Sequence, residues 1–290
     1  MVSPRDRIRG RPGHEYDGSR SLYGLTLAAL LIVLLAAISL QQVTSRDNAR
    51  RLLQAGVATL TDVDQVIAEN REGLRQLAES SRGPAVSFPG YPIGIEFTRE
   101  EALRGSNEQL RATVLEHSST SVYEGGLGAF DTTGQQSLGT FSTQGLIKLI
   151  VGQLSRKTHD RASVASVVAA ALSALAALTV ILKNSGFVRM RALGLSALGA
   201  AVAGVVFVFL VRLLATSLWP NDPFGDDLAE IVAKVMDVPL RNYVVLGALG
   251  LVLTVAGVVF QAVSERRAWA AAEEQWPARP GADAEDESDL

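Results

Sequence analysis

The chain has 290 residues, 48% of them hydrophobic, with a mean hydropathy of +0.20 and a formal net charge of -3 at pH 7. A soluble chain of this size rarely averages above zero, so composition points to a membrane class, and so small a net charge gives no footing for a nucleic-acid partner. The absence of cysteine excludes disulfides, thiol catalysis, iron–sulfur clusters and cysteine-based zinc sites.

In chain order, residues 1–21 form a basic segment carrying Arg5, Arg7, Arg9, Arg11 and Arg20. Residues 22–40 follow as an uncharged apolar stretch, long enough for a helix to cross a hydrocarbon core of about 30 Å. A cleaved signal peptide is the rival reading. The apolar run exceeds the usual core of about 7–15 residues, and no small-x-small cleavage site follows Ser39, so a retained first span is expected.

Residues 41–162 have the size of one small domain. Apolar or small residues recur at spacings of four and three through Ala49, Leu53, Gly56, Leu60, Val63, Ile67, Leu74 and Leu77, with Asn70 in the same seam. This near-heptad pattern predicts one long helix from about Ser45 to Ser80, continuous with the first span because no breaker separates them. From Val86 to Phe97 the period changes to two, through Val86, Phe88, Tyr91, Ile93, Ile95 and Phe97. That alternation predicts an extended strap with one buried face, and Pro89 and Pro92 argue against a central strand. Thr98 and Glu101 have capping-box spacing, predicting a helix start and a helix to about His117. A third helix is expected over Ser118 to Phe130, ending at the glycines Gly125, Gly126 and Gly128. These lack the strand, lysine and helix start of a phosphate loop and read as a helix C-cap. Residues 131–143 read as a loop, and a final helix from about Gln144 to Asp160 leads into the second span. His159 and Asp160 read as polar trim at the mouth of that span.

The second and third spans are expected at 163–182 and 192–215, joined by the short basic link 183–191, and the fourth at 243–263. Small residues recur at every fourth position in span two (Ala165, Ala169, Ser173, Ala177) and in span three (Ser196, Ala200, Gly204), a spacing that lets helices approach closely. Arg212 lies within a turn of its span's end and reads as an interface anchor. The link 216–242 is acidic. Leu228, Ile231, Val232, Val235 and Met236 form an apolar stripe on a short amphipathic helix within it. Asp222, Asp226 and Asp227 are weak candidates for a calcium site, since they lack the ligand spacing of an EF-hand. Residues 264–290 read as a disordered acidic tail.

The basic segments 1–21, 183–191 and 264–267 fall on one side of a four-span protein, which the positive-inside rule makes cytoplasmic together with both termini. The expected fold class is therefore an all-α membrane protein with a helical extracytoplasmic domain inserted between the first two spans. Arginine- and alanine-rich composition points to a bacterial plasma membrane. No mid-span acid or proline marks an ion-coupled transporter, and no nucleophile–base pair marks an enzyme. The leading expectation is a non-enzymatic membrane protein without a cofactor. Its outer domain would bind a partner protein, assemble as a homo-oligomer or sense an envelope signal. A subunit of an oligomeric pore or transport complex is the alternative.

Overall fold

A computed structural model describes residues 18–61, 63–88, 91, 93–126, 150–217 and 225–274. They fall into two compact units, residues 29–173 with 200–245, and residues 1–28 with 174–199 and 246–290. The elements are α1 (Gly18–Val43), α2 (Arg46–Thr61), α3 (Val63–Ser80), β1 (Ala85–Ser87), β2 (Glu96–Thr98), α4 (Arg99–Arg104), α5 (Asn107–Gly125), α6 (Arg156–Lys183), α7 (Val188–Ser217) and α8 (Gly225–Glu274). The fold is all-α apart from one small hairpin. Helices α1, α6, α7 and α8 are each long and apolar enough to cross a membrane, with windows of mean hydropathy 2.4. The apolar stretches 22–40, 163–182, 192–215 and 243–263 each lie inside one of these four helices.

In the unit built from residues 29–173 and 200–245, a single apolar core joins α2 (Leu53, Val57), α3 (Ile67, Leu74), the hairpin (Phe88, Ile93, Phe97) and α5 (Leu110, Val114, Val122). Ala49, Leu53, Gly56, Val63, Ile67 and Leu74 of the expected seam are all buried. At its end Ala78 turns inward instead of Leu77, and Asn70 bonds back to the Val66 carbonyl of its own helix at 2.9 Å. Asp62, between α2 and α3, lies outside the described residues.

Four expectations are corrected here. First, the rod from span one into the next helix is interrupted: α1 ends at Val43, Thr44 and Ser45 form a turn and bend, and α2 begins at Arg46. Hydroxyl and amide side chains at this point compete for backbone carbonyls, as Ser, Thr and Asn do at helix ends. Second, the strap folds back on itself: β1 and β2 pair antiparallel, Val86 opposite Phe97, with all six alternating apolar side chains buried. Phe88 packs edge-on to Phe97 with ring centroids 5.5 Å apart. Pro89 and Pro92 lie outside the described residues. Third, the Thr98 capping box is present but starts only the short α4. Gly105 ends that helix, and a second capping box, Ser106 with Gln109, starts α5. α5 then continues without interruption past His117 to Gly125, capped by Gly126 at a positive φ of 63°. Gly128 and the loop expected at 131–143 lie outside the described residues. Fourth, the helix leading into span two bends at Leu154 and Ser155, so that α6 starts at Arg156.

The amphipathic helix of the acidic link is also not separate. It is the beginning of α8, which runs on through Pro239 into the fourth apolar stretch. Pro239 removes one helical hydrogen bond, that to the Val235 carbonyl. Leu228, Ile231 and Val232 before it and Tyr243 after it are buried, and that burial holds the chain helical on both sides. At its far end α8 stays helical to Glu274, eleven residues beyond Val263, where a disordered tail was expected; residues 275–290 are not described.

In the other unit, α6 and α7 are joined by a tight turn over residues 184–187 with Gly186 at φ 58°. Phe187 stacks on Phe260 of α8, centroids 5.4 Å apart. Gly194 of α7 lies against Gly250 and Thr254 of α8, and Gly257 of α8 against the backbone of Arg191, leaving no room for a Cβ at either glycine.

Candidate functional site

A dense polar cluster among the described residues surrounds the interruption between α1 and α2. A helix end leaves its last carbonyls without amide partners, which must be supplied from elsewhere. The Leu40 carbonyl receives the Thr44 amide at 2.9 Å and the Thr44 hydroxyl at 2.6 Å. The Gln42 carbonyl receives the Ser45 hydroxyl at 2.8 Å and Asn48 Nδ2 at 2.9 Å. The Gln41 carbonyl is met by His159 Nδ1 of α6 at 3.1 Å; a carbonyl only accepts, so Nδ1 donates there. The Thr44 carbonyl accepts from the buried Tyr123 hydroxyl of α5 at 3.3 Å. Burial, and then the Asp160 carboxylate, push the Tyr123 phenol above its ordinary pKa of 10.0, which keeps it a donor.

Side chains add further ties to α6 and extend the cluster to α8. Ser166 of α6 donates to Gln41 Oε1 at 3.2 Å, while Gln41 Nε2 donates to Ser163 at 3.4 Å. Asn242 of α8 donates to Ser39 and to Gln42 Oε1, both at 2.9 Å. Nearby, Tyr243 donates to the Ile32 carbonyl at 3.2 Å. α1 is thus tied at its end to α5, α6 and α8 through hydrogen bonds, most of them at least half buried. An apolar cavity of about 190 Å³ adjoins the joint, lined among others by Ser39, Val43, Phe207, Met236, Pro239 and Tyr243.

The residues singled out from sequence are distributed as follows. His159 belongs to the joint, a role its polar neighbourhood alone did not indicate. Ser166, Ser163, Gln41 and Asn242 were missed; their only sequence signal was amide and hydroxyl residues at the ends of apolar runs. Of the span-two ladder, Ala169 and Ser173 are buried, Ala177 is half-buried and Ala165 is exposed. The Ser173 hydroxyl is buried without a partner. In span three Ser196, Ala200 and Gly204 are all buried, with Ser196 packed near Gly24 of α1 and Gly204 against the Tyr243 ring. Arg212 pairs with Asp237 at 2.5 Å and donates to the Ala233 carbonyl at 3.0 Å, a partner not foreseen from sequence. Asp226 is exposed in the first turn of α8; Asp222 and the side chain of Asp227 lie outside the described residues. No group of three His, Cys, Asp or Glu side chains suited to a metal occurs among the described residues.

No family model matches the chain, and no curated protein or solved structure shows significant similarity to it.

Proposed function

We propose that the chain is a non-enzymatic integral protein of a bacterial plasma membrane. Both termini are cytoplasmic, and the helical bundle of residues 46–125 lies outside. The bundle binds a protein partner or responds to a change in the envelope, and the polar joint passes the displacement to the membrane helices. The observation that supports this reading is that the chain leaves α1 through a turn whose carbonyls are bonded by side chains of α5 and α6. Hydrogen bonds to side chains re-form at new positions more readily than an unbroken helical ladder, and the adjoining cavity gives the helices space to shift. The arginine bias of the basic segments supports the orientation.

Two measurements test the reading. The natural chain lacks cysteine, so Gln76→Cys, exposed on α3, and Ser185→Cys, exposed in the α6–α7 turn, are clean reporters. An impermeant maleimide should label Gln76→Cys in intact cells and Ser185→Cys only after permeabilisation; the reverse pattern overturns the orientation. Gln41→Leu should raise hydrogen exchange at both 44–48 and 159–163 while leaving α3 protected. A change confined to α1 overturns the coupling. Ion conductance in liposomes that persists after deletion of residues 46–151 would instead favour the pore subunit.

A further inference from the structure

Every ion pair among the described residues lies in the unit containing residues 29–173 and 200–245: Arg50–Glu116, Arg75–Glu79, Arg104–Glu100, Arg111–Asp64, Arg212–Asp237 and Lys234–Glu230. The other unit behaves differently. Lys183, Arg189, Arg191, Arg266 and Arg267 are all exposed there, and none forms an ion pair with a described residue. The acids on the same stretch are Glu265, which accepts from Gln261 at 3.1 Å, and Glu273 and Glu274 at the end of α8.

Two of these cations stand where charge of that sign is least favourable. Arg189 and Arg191 occupy the first turn of α7, which contains no acid, and a helix start already carries partial positive charge. Arg189 Nε donates to the Asn184 carbonyl at 2.7 Å, which ties the exposed arginine to the turn. α8 passes with Gly257 against the Arg191 backbone, and Phe260 stacks on Phe187. From there Arg266 lies nine residues along the same helix, about 14 Å at helical rise. Trp269, 67% exposed, follows on that helix, and its amphipathic ring suits a membrane–water boundary. Exposed cations that form no ion pair with a described residue, at the ends of apolar helices, suit an anion at the membrane–water boundary.

We propose that Lys183, Arg189, Arg191, Arg266, Arg267 and Trp269 form a recognition surface for anionic phospholipid headgroups. The phosphodiester of a bilayer lipid supplies negative charge to these cations, and its chains lie along the apolar faces of α6 and α8. Clustered arginines bind phosphate through paired donors, and each cation near an anionic surface adds to the attraction.

The test uses the purified full chain in dodecyl maltoside, with bound lipid measured by native mass spectrometry. Dioleoyl phosphatidylglycerol should bind at least tenfold more tightly than dioleoyl phosphatidylcholine, and raised salt should reduce the preference. R266Q/R267Q, at exposed positions, should weaken phosphatidylglycerol binding about thirty-fold, while R266K/R267K retains most of it. R189Q/R191Q provides a second variant at the other edge of the surface. Equal binding of the two lipids overturns the proposal, as does undiminished phosphatidylglycerol binding in both glutamine variants. Displacement of the lipid by millimolar inorganic phosphate would make the surface a site for soluble anions and would also overturn it.

Discussion

Gly204→Ala is a one-carbon perturbation whose cost follows from its surroundings. A Cβ at Gly204 would fall well within 3.0 Å of three atoms of the Tyr243 ring. The ring has little room to yield: Tyr243 is buried and its hydroxyl is held by the Ile32 carbonyl at 3.2 Å. Overpacking of this kind costs about 1–3 kcal/mol. Displacing the ring also loses a hydrogen bond worth about 1 kcal/mol, and alanine returns about 1 kcal/mol through its higher helix propensity. The net expectation is a loss of about 1–3 kcal/mol, measured as reversible unfolding in mixed micelles. Tyr243→Leu in the same chain should make room for the methyl group, so a double-mutant cycle should show coupling of at least about 1 kcal/mol. A neutral Gly204→Ala, or strictly additive effects with Tyr243→Leu, would refute the reasoning and mean that α7 and α8 have slack at this crossing.

Further expectations concern the helical bundle. Thr98→Ala should cost about 1 kcal/mol, read as a shift in the melting temperature of the full chain, because the hydroxyl caps the Glu101 amide at 3.3 Å. The same hydroxyl, and then the Thr98 backbone amide, hold the Glu101 carboxyl below its ordinary pKa of 4.5. A depressed folded pKa contributes stability above the unfolded value and loses it as pH falls through the folded one, so the wild-type advantage over Thr98→Ala should be full at pH 7 and shrink below pH 4.5. Gly56→Ala brings a methyl group to within 2.7 Å of the buried Val151 and should cost about 1 kcal/mol. In a Val151→Ala background the same change should be neutral or stabilising, since only its helix propensity remains.

The parts readable from sequence were those set by local chemistry. Apolar length marked the four long helices, period two marked the buried face of residues 86–97, and the Thr98–Glu101 spacing marked a helix start. The Ser106–Gln109 spacing carries the same signal, inside a stretch whose periodicity by itself suggests a single helix. What alternation could not convey was the reversal of the chain between Phe88 and Ile93, because pairing Val86 with Phe97 is a relation between segments. The joint was hidden for the same reason at longer range. Thr44 and Ser45 are weak breakers in isolation. The groups that satisfy the carbonyls they leave open come from Tyr123 and His159, 79 and 118 residues away along the chain. Small-residue spacing found Gly204 but did not identify its partner, since nothing in a run of alanines, serines and glycines encodes which helix lies opposite.

The interruptions at Thr44–Ser45 and Leu154–Ser155 have a mechanical meaning. The helical bundle of residues 46–125 lies between two chain crossings, each with a pivot in place of a stiff rod. An axial push on the bundle would be absorbed as bending at the pivots, whereas a swing about the line joining them would be resisted by side-chain ties such as those at Gln41, Tyr123, His159 and Asn242. Under the proposed function, such a suspension would suppress piston strokes and pass rotation. Its stiffness is then set by a handful of side chains, so single substitutions at those ties can tune the response without altering the helices on either side.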